Sequence, residues 1–537
     1  MLRIRSLTLS NFKNVRHGTI VLSNVAKLDD IGSGADVAGI YGQNGSGKTS
    51  FIQALSVLKM LMSGDSLTDQ VREYVGAGSD SFSLTLEFFV TFGDDEGTIA
   101  YLLGESEATP ACESYICTYD VTAGTCSGRS PLVLAESLRC KNTQTGESLH
   151  EVISWSAKDT TVDSGSGEQG DSVLSYSSVV PAWISNREEA WSYDLSELSP
   201  LTHWHTIYSF AKARSTRLEA ARHKAFEEGR SFLFSEGMLN GAFDIIHKPD
   251  ERRMPRGTAD AIVRVVLPSL QVAMASRIFA TRDMAVLSTS HLGLLALNYL
   301  PLASQEGYRG EYTDNFLLLD IDKVNNVPLR HVDELERALR SISGVIGAIV
   351  PGLRITVARL GRMSGKDGEV LESIELMSQR GESKVPLRNE SEGIKKILSI
   401  VSLLVDVHTN PSTFFAIDEF DSGVFEYLLG EILEALVAHG AGQLVFTAHN
   451  LRPLEVLSSK NIWFTTTDEN ERYVLSKGVR GSNNLRKMYL RNIRLGGESG
   501  DVYVPTSPLE IDSALYDAGM AVHEMRVAQV QGGENAQ

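Results

Sequence analysis

Apolar and polar positions alternate along "LRIRSLTLSNFKNV", residues 2–15, which predicts a half-buried strand at the start of the chain. "VAGIYG", 37–42, is apolar almost throughout and ends on glycine, the pattern of a buried strand running into a turn. In "TSFIQALSVLKMLMS", 49–63, the apolar positions spread too widely for a single stripe, which predicts a largely buried helix. Alternation returns in "FSLTLEFFVTF" (82–92), "TIAYLL" (98–103) and "SYICTYDV" (114–121), the strands of a β-rich lobe. Ser, Gly and Asp dominate 155–175, which reads as a surface loop or linker. From 183 to 345 the period lengthens, and "FAKARSTRLEAARHKAFEEGRSFLF" and "VDELERALRSISGVIGAIV" read as amphipathic helices without the sustained heptads of a coiled coil. From 372 strands and helices alternate: "SIELMS", the helix "SEGIKKILSIVSLLVDVH", the strand "TFFAIDEF", the helix "GVFEYLLGEILEALVAHG" and the strand "QLVFTAHN".

The turn after the second strand is "GQNGSGKTS", 42–50. Gly42 to Thr49 fit G-x-x-x-x-G-K-[ST] between a predicted strand and a predicted helix, the context that a phosphate-binding loop requires. Gly42, Gly45 and Gly47 let backbone N–H groups curl around phosphate oxygens, with Gln43, Asn44 and Ser46 completing the loop and Ser50 following it into the helix. The helix aims its positive end at the same place. Lys48 is suited to neutralising the β- and γ-phosphates of ATP, and the Thr49 hydroxyl to ligating Mg²⁺. A second apolar run, "FFAIDEF" (414–420), delivers Asp418 as a further Mg²⁺ ligand and Glu419 as the group that orients or deprotonates water. In "LRNESEGIKKIL", Ser391 and Gly393 stand at a helix start, where free N–H groups favour phosphate; a plain N-cap accounts for Ser391 equally well. His449 in "VFTAHN" follows another strand, placed to sense a γ-phosphate.

These motifs, in this order, resemble the ATP-binding cassette heads of the SMC, RecF and OLD superfamily, and more closely the AAA-type ATPases of bacterial phage-defence and abortive-infection systems. "LTLSNFKNV" resembles the opening strand of that family, "NESEGIKK" its degenerate signature, "IDEFDSGVFEYLL" its Walker B and D-loop, "TAHN" its histidine switch, and "KMYLRNIRLGG" its Tyr- and Gly-rich tail. Glu392 stands where transporter-type signatures carry glycine. The resemblance implies an α/β fold, an ABC-type ATPase head with a mixed sheet, a β-rich lobe and a mainly helical inserted region. Residues 1–180 would form the N-terminal half of the head, 181–365 the insertion, and 366–537 the C-terminal half and tail. It also implies a homodimer in which Ser391 and Gly393 touch the nucleotide held by the partner's loop.

Composition narrows what such a switch controls. The chain has 537 residues, 42% hydrophobic and 22% charged, as in an ordinary globular protein. No apolar stretch reaches the roughly 18 residues that span a bilayer, "ILSIVSLLVDV" (397–407) coming nearest, and the N-terminus has no apolar secretion signal; both point to the cytoplasm. A net charge of -18 disfavours non-specific coating of nucleic acid, so DNA or RNA contact is expected only at a local patch such as 477–494, where six Lys or Arg meet no acid. The four cysteines, Cys112, Cys117, Cys126 and Cys140, lack zinc-site spacing and read as ordinary thiols. Asp320 and Asp322 in "LLLDIDK" form a D-x-D without an evident third ligand, and a strand-end turn explains them more simply than a nuclease site. "RLEAARH", 217–223, only vaguely suggests a ribonuclease pair. No convincing effector is evident in the sequence, and the resemblance to defence ATPases implies an ATPase subunit controlling a separate nuclease or toxin. A RecF-type DNA clamp is the alternative, and a structural binder with a degenerate site is a third.

Overall fold

The computed structural model describes residues 1–26, 30–31, 34–92, 113–124, 131–144, 148–160, 173–176, 221, 224–240, 267–288, 299–303, 316–365, 368–475, 485–495, 507, 509–510 and 512–514. In chain order the strands and first helix of the N-terminal part are β1 (Leu2–Phe12), β2 (Val15–Val21), β3 (Asp36–Tyr41), α1 (Lys48–Ser63), β4 (Ser81–Phe92), β5 (Glu113–Gly124), β6 (Leu132–Asn142), β7 (Ser148–Thr160) and β8 (Val173–Tyr176). All but β3 join one antiparallel sheet in the order β2-β1-β4-β5-β6-β7-β8. Strict alternation in β4, with Phe82, Leu84, Leu86 and Phe88 facing inward, sets that sheet's register against the core.

The middle of the chain contributes α2 (Leu267–Ile278), β9 (Met284–Leu287), β10 (Tyr299–Ala303), β11 (Phe316–Asp320), β12 (Asn325–Pro328), α3 (Leu329–Ile349) and β13 (Leu353–Ser364). After it come β14 (Val370–Arg380), β15 (Ser383–Pro386), α4 (Glu392–Thr409), β16 (Phe414–Ile417), α5 (Glu426–His439), β17 (Gln443–Thr447), α6 (Pro453–Val456), β18 (Ile462–Thr465), β19 (Tyr473–Leu475) and α7 (Leu485–Leu495). A second sheet runs β19-β18-β3-β17-β16-β9, parallel except at β19. Its inner strands β18, β3, β17 and β16 are buried on both faces. Ala38, Ile40, Phe414, Ala416 and Val445 pack with α1 and the antiparallel sheet, while Val37, Phe415, Ile417, Leu444 and Phe446 pack with α3, α4 and α5. Continuous apolar runs are what a doubly covered parallel sheet requires.

Two expectations need adjustment. The stretch 155–175 is not all loop: residues 155–160 finish β7, and β8 begins at Val173. Pairing to β6 at Ala135↔Ser156 and to β8 from Ala157↔Tyr176 to Thr160↔Val173 satisfies the backbone of this mostly polar strand end. Among its described residues the stretch 183–345 carries α2 and most of α3 but also four strands, and β9 is the outer strand of the parallel sheet, paired Met284↔Phe414. Four residues of "MAVL" are too few for periodicity to reveal. "TIAYLL" and 210–220 lie outside the described residues.

The two sheets are tied by buried polar contacts. Arg3 on β1, 1% exposed, donates from Nη2 to Asp36 Oδ2 at 2.6 Å and from Nη1 to the carbonyls of Ala441 at 2.6 Å and Pro411 at 3.1 Å. The Gln443 amide receives the Ile4 N–H and donates back to the Ile4 carbonyl, both at 2.8 Å. Arg3→Met removes the cation and leaves Asp36 and two carbonyls short of a donor. Because Asp36 retains access to water, the expected loss is about 2–3 kcal/mol of unfolding free energy in urea, below that of a fully buried pair; an unchanged midpoint would show the tether to be dispensable.

Candidate nucleotide site

Residues 42–47 turn sharply off β3 and lead straight into α1, whose N-cap is Gly47. Gly47 has φ 102°, and a Cβ there would sit 3.0 Å from Val15 Cγ2, so glycine suits both the backbone and the space. The loop is braced from both ends of the chain. Tyr473 OH donates to the Gly47 carbonyl at 2.8 Å, and Thr465 Oγ1 lies 2.5 Å from Ser46 Oγ. Asn14 donates to the Gly45 carbonyl, Ser50 Oγ donates to Asn14 Oδ1 at 2.9 Å, and Arg472 donates to the Asn14 carbonyl at 2.7 Å. Gln43 and Ser46 are half-buried, Asn44 and Gly45 exposed, and Thr49 half-buried on the first turn of α1. Lys48, 6% exposed, donates to the carbonyls of Gly42 at 2.7 Å and Gln43 at 3.0 Å. Burial lowers its pKa, and the carboxylates of Asp418, Glu419 and Asp421 pull it back up.

Those carboxylates all follow β16, which β17 separates from β3. β17 pairs with β3 in the register Thr447↔Ile40 and with β16 as Phe446↔Ile417, so the loop, the acid pair and the histidine all leave the carboxyl edge of one sheet. Asp418 is 1% exposed and accepts from Thr447 Oγ1 at 2.5 Å. The same Thr447 hydroxyl accepts the Glu419 N–H at 2.8 Å. Glu419 has φ 49°, a left-handed conformation that costs a non-glycine residue about 1 kcal/mol and persists where neighbours over-determine it. Asp421 Oδ2 accepts the backbone N–H groups of His449 at 2.9 Å and Asn450 at 2.7 Å, and Tyr41 OH donates to the Asn450 carbonyl at 3.0 Å. The imidazole of His449 is exposed at the same edge.

Ser391 caps α4, its Oγ accepting the Ile394 N–H at 3.4 Å. A Cβ on Gly393 would fall 2.3 Å from the carbonyl oxygen of Gly423, so only glycine lets the start of α4 approach the loop that follows the acid pair. The structure thus brings Lys48, Asp418 and Glu419 together, ties His449 to them through Asp421, and sets Ser391 and Gly393 on the adjoining 421–423 loop. The Thr49 hydroxyl and the Asp418 carboxylate are hard oxygen donors of the kind Mg²⁺ takes, and Asp418 is held in place by the Thr447 hydroxyl.

Sequence reasoning passed over Asn14, Lys396, Asp421, Thr447, Thr465 and Tyr473. One of them had a signal: Lys396 falls on the apolar stripe of α4 with Ile400, Leu403 and Val407, where a lysine is out of place.

The other candidates resolve into structural roles. Asp320 Oδ1 accepts the N–H groups of Asp322 at 2.9 Å and Lys323 at 3.1 Å, and Asp322 pairs with Lys395 at 2.9 Å, so the D-x-D is a strand-end turn fastened to α4. Cys117 and Cys140 face each other across β5 and β6 as buried free thiols, and burial pushes the Cys117 thiol up; Cys112 and Cys126 lie outside the described residues. Of the basic window, 477–484 lies outside them too, Arg486 pairs with Glu455 at 2.7 Å, and Tyr489 stacks on Phe464 with centroids 5.2 Å apart. Of 217–223 only Ala221 is described. No described helix is long and apolar enough to cross a membrane.

Residues 6–105 match the sequence model of the AAA domain family. No curated protein matches the chain. Among solved structures it is similar to the Smc head with an extended coiled coil bound to the C-terminal domain of ScpA from Pyrococcus furiosus, at 13% identity and TM-score 0.32 over 92% of this chain and 100% of that one. The Smc head with coiled coil and joint from Pyrococcus yayanosii gives 11% identity and TM-score 0.33 over 91% and 99%. The SMC head domain from Thermotoga maritima gives 13% and 0.30 over 89% and 100%. The AAA-family match covers the part of the chain that carries the phosphate loop, and that loop, the acid pair and the histidine leave the same edge of one sheet.

Thr447 joins two of those strands' ends, so Thr447→Val, which keeps the shape and removes the hydroxyl, is expected to destabilise the chain by about 1–3 kcal/mol in urea, whereas Thr447→Ser, which keeps the hydroxyl, should retain most of the wild-type stability. Equal midpoints for the Val and wild-type chains would show that the hydroxyl does not hold the acid pair.

Proposed function

We propose that the chain is an ATP-hydrolysing switch that closes as a homodimer on bound nucleotide and opens after hydrolysis, and that it controls a separate effector, a nuclease or toxin, in defence against phage. Gly42 to Thr49 cradle the triphosphate, with Lys48 on its terminal phosphates. Mg²⁺, held by Thr49 and Asp418, would offset phosphate charge. Glu419 orients and deprotonates the attacking water, and His449 contacts the γ-phosphate from the adjoining strand end. Ser391 and Gly393 complete the site of the second copy, so nucleotide serves as part of the interface.

The observation that carries this reading is the strand register: the pairing of β3, β17 and β16 puts the phosphate loop and the Asp418–Asp421 segment, about 370 residues apart in sequence, on the same edge of one sheet. The effector is assigned to another protein because the D-x-D carboxylates are already engaged, Asp320 by its turn and Asp322 by Lys395. The defence setting rests on the family resemblance of the motifs. A DNA clamp would draw on the basic window, and there Arg486 is committed to Glu455.

Glu419→Gln separates binding from hydrolysis. It is expected to lower ATP turnover by about 10²- to 10⁴-fold while leaving ATP affinity near wild type, and to hold the chain at dimer mass in light scattering with ATP and Mg²⁺. Lys48→Ala is expected to stay monomeric. Wild-type turnover in Glu419→Gln would remove the assigned base, and degradation of DNA or RNA by the purified chain alone would remove the separate effector.

A further inference from the structure

Lys396 sits on the second turn of α4, 3% exposed, and its ammonium donates to the carbonyl oxygen of Glu419 at 2.6 Å. A buried lysine is rare without a task. Here three acids surround it: Asp421, Glu419 and Asp418 each favour its charged form, while burial pulls its pKa down to about 8. The backbone it grips is the unusual one. Glu419 is one of three non-glycine residues with positive φ among those described, and its N–H is held from the opposite side by Thr447. The peptide links on both sides of Glu419 are therefore fastened, one through the Thr447 hydroxyl and one through the Lys396 ammonium.

We infer that Lys396 is a positioning residue for hydrolysis, holding Glu419 in the left-handed conformation that sets the direction of its carboxylate. The inference rests on the reading of Glu419 as the base. A plain structural role, neutralising buried acids, is the competing account. It predicts a loss of stability without a specific loss of turnover. Lys396 differs from its neighbour Lys395, whose ammonium lies 2.9 Å from Asp322 and 3.3 Å from Glu392, away from the acid pair. It also stands on the helix that Ser391 begins. One hydrogen bond thus joins the helix that meets the partner's nucleotide to the residue that cleaves the chain's own.

The test compares wild type, Lys396→Met, Glu419→Gln and the double variant for steady-state ATP turnover, equilibrium affinity for a fluorescent ATP analogue, and melting temperature. The expected result is a loss of about 10- to 100-fold in kcat for Lys396→Met, with affinity within about threefold of wild type. In the Glu419→Gln background the same change should cost nothing further, because the residue it positions has lost its function. A kcat within about twofold of wild type, or losses that multiply in the double variant, would overturn the inference. If Lys396→Met does not accumulate as folded protein, Lys396→Gln, shorter by one bond, carries the same two outcomes. Failure of the underlying reading looks different: Glu419→Gln would then turn over like wild type, whatever Lys396 does.

Discussion

The molecule depends on the register of three parallel strands. β3, β17 and β16 come from opposite ends of the chain, and their pairing aligns Ile40 with Thr447 and Phe446 with Ile417. A parallel ladder displaced by one residue would turn Asp418 and Thr447 to the wrong face and part the acid pair from Lys48. The register is specified twice over. Apolar side chains fill both faces of the sheet, and at the carboxyl edge the hydroxyl of Thr447 pairs with Asp418 and with the Glu419 N–H.

Around that edge the structure places a second layer of polar contacts whose task is to fix loops. Tyr473, Thr465 and Asn14 brace the phosphate loop, Asp421 braces the turn before His449, and Lys396 braces Glu419. These partners lie more than 20 residues from the groups they hold, so the site forms only when both sheets have folded. At the far edge Arg3 and Gln443 join the antiparallel sheet to the same strands. The antiparallel sheet and the parallel sheet are thereby linked through the strands that carry the candidate site.

That Gly42 to Thr49, Asp418 and Glu419, Ser391 and His449 stand at strand and helix ends was legible, because the chemistry expected of them demands particular residues at fixed spacing next to such an end. The long strands β1, β4 and β5 and the helices α1, α3, α4 and α5 were legible from periodicity. What escaped was short or long-range. β9 is four residues in a region that otherwise reads as helical, and the end of β7 carries polar side chains on a backbone that its neighbour satisfies. Thr447, Asp421 and Asn14 look like ordinary polar residues in sequence, since their importance lies in partners about 30 residues distant. Lys396 was the exception, an ion on an apolar stripe.

The central claim is that loop and acid pair act on one nucleotide. Titration calorimetry of ATP into the chain, with and without Mg²⁺, tests it most directly when repeated on Asp418→Asn. The account predicts one ATP per chain, bound more tightly with Mg²⁺, and loss of that Mg²⁺ enhancement in Asp418→Asn although the phosphate loop is untouched. Absence of ATP uptake by the wild-type chain, or an enhancement that survives in Asp418→Asn, would contradict it.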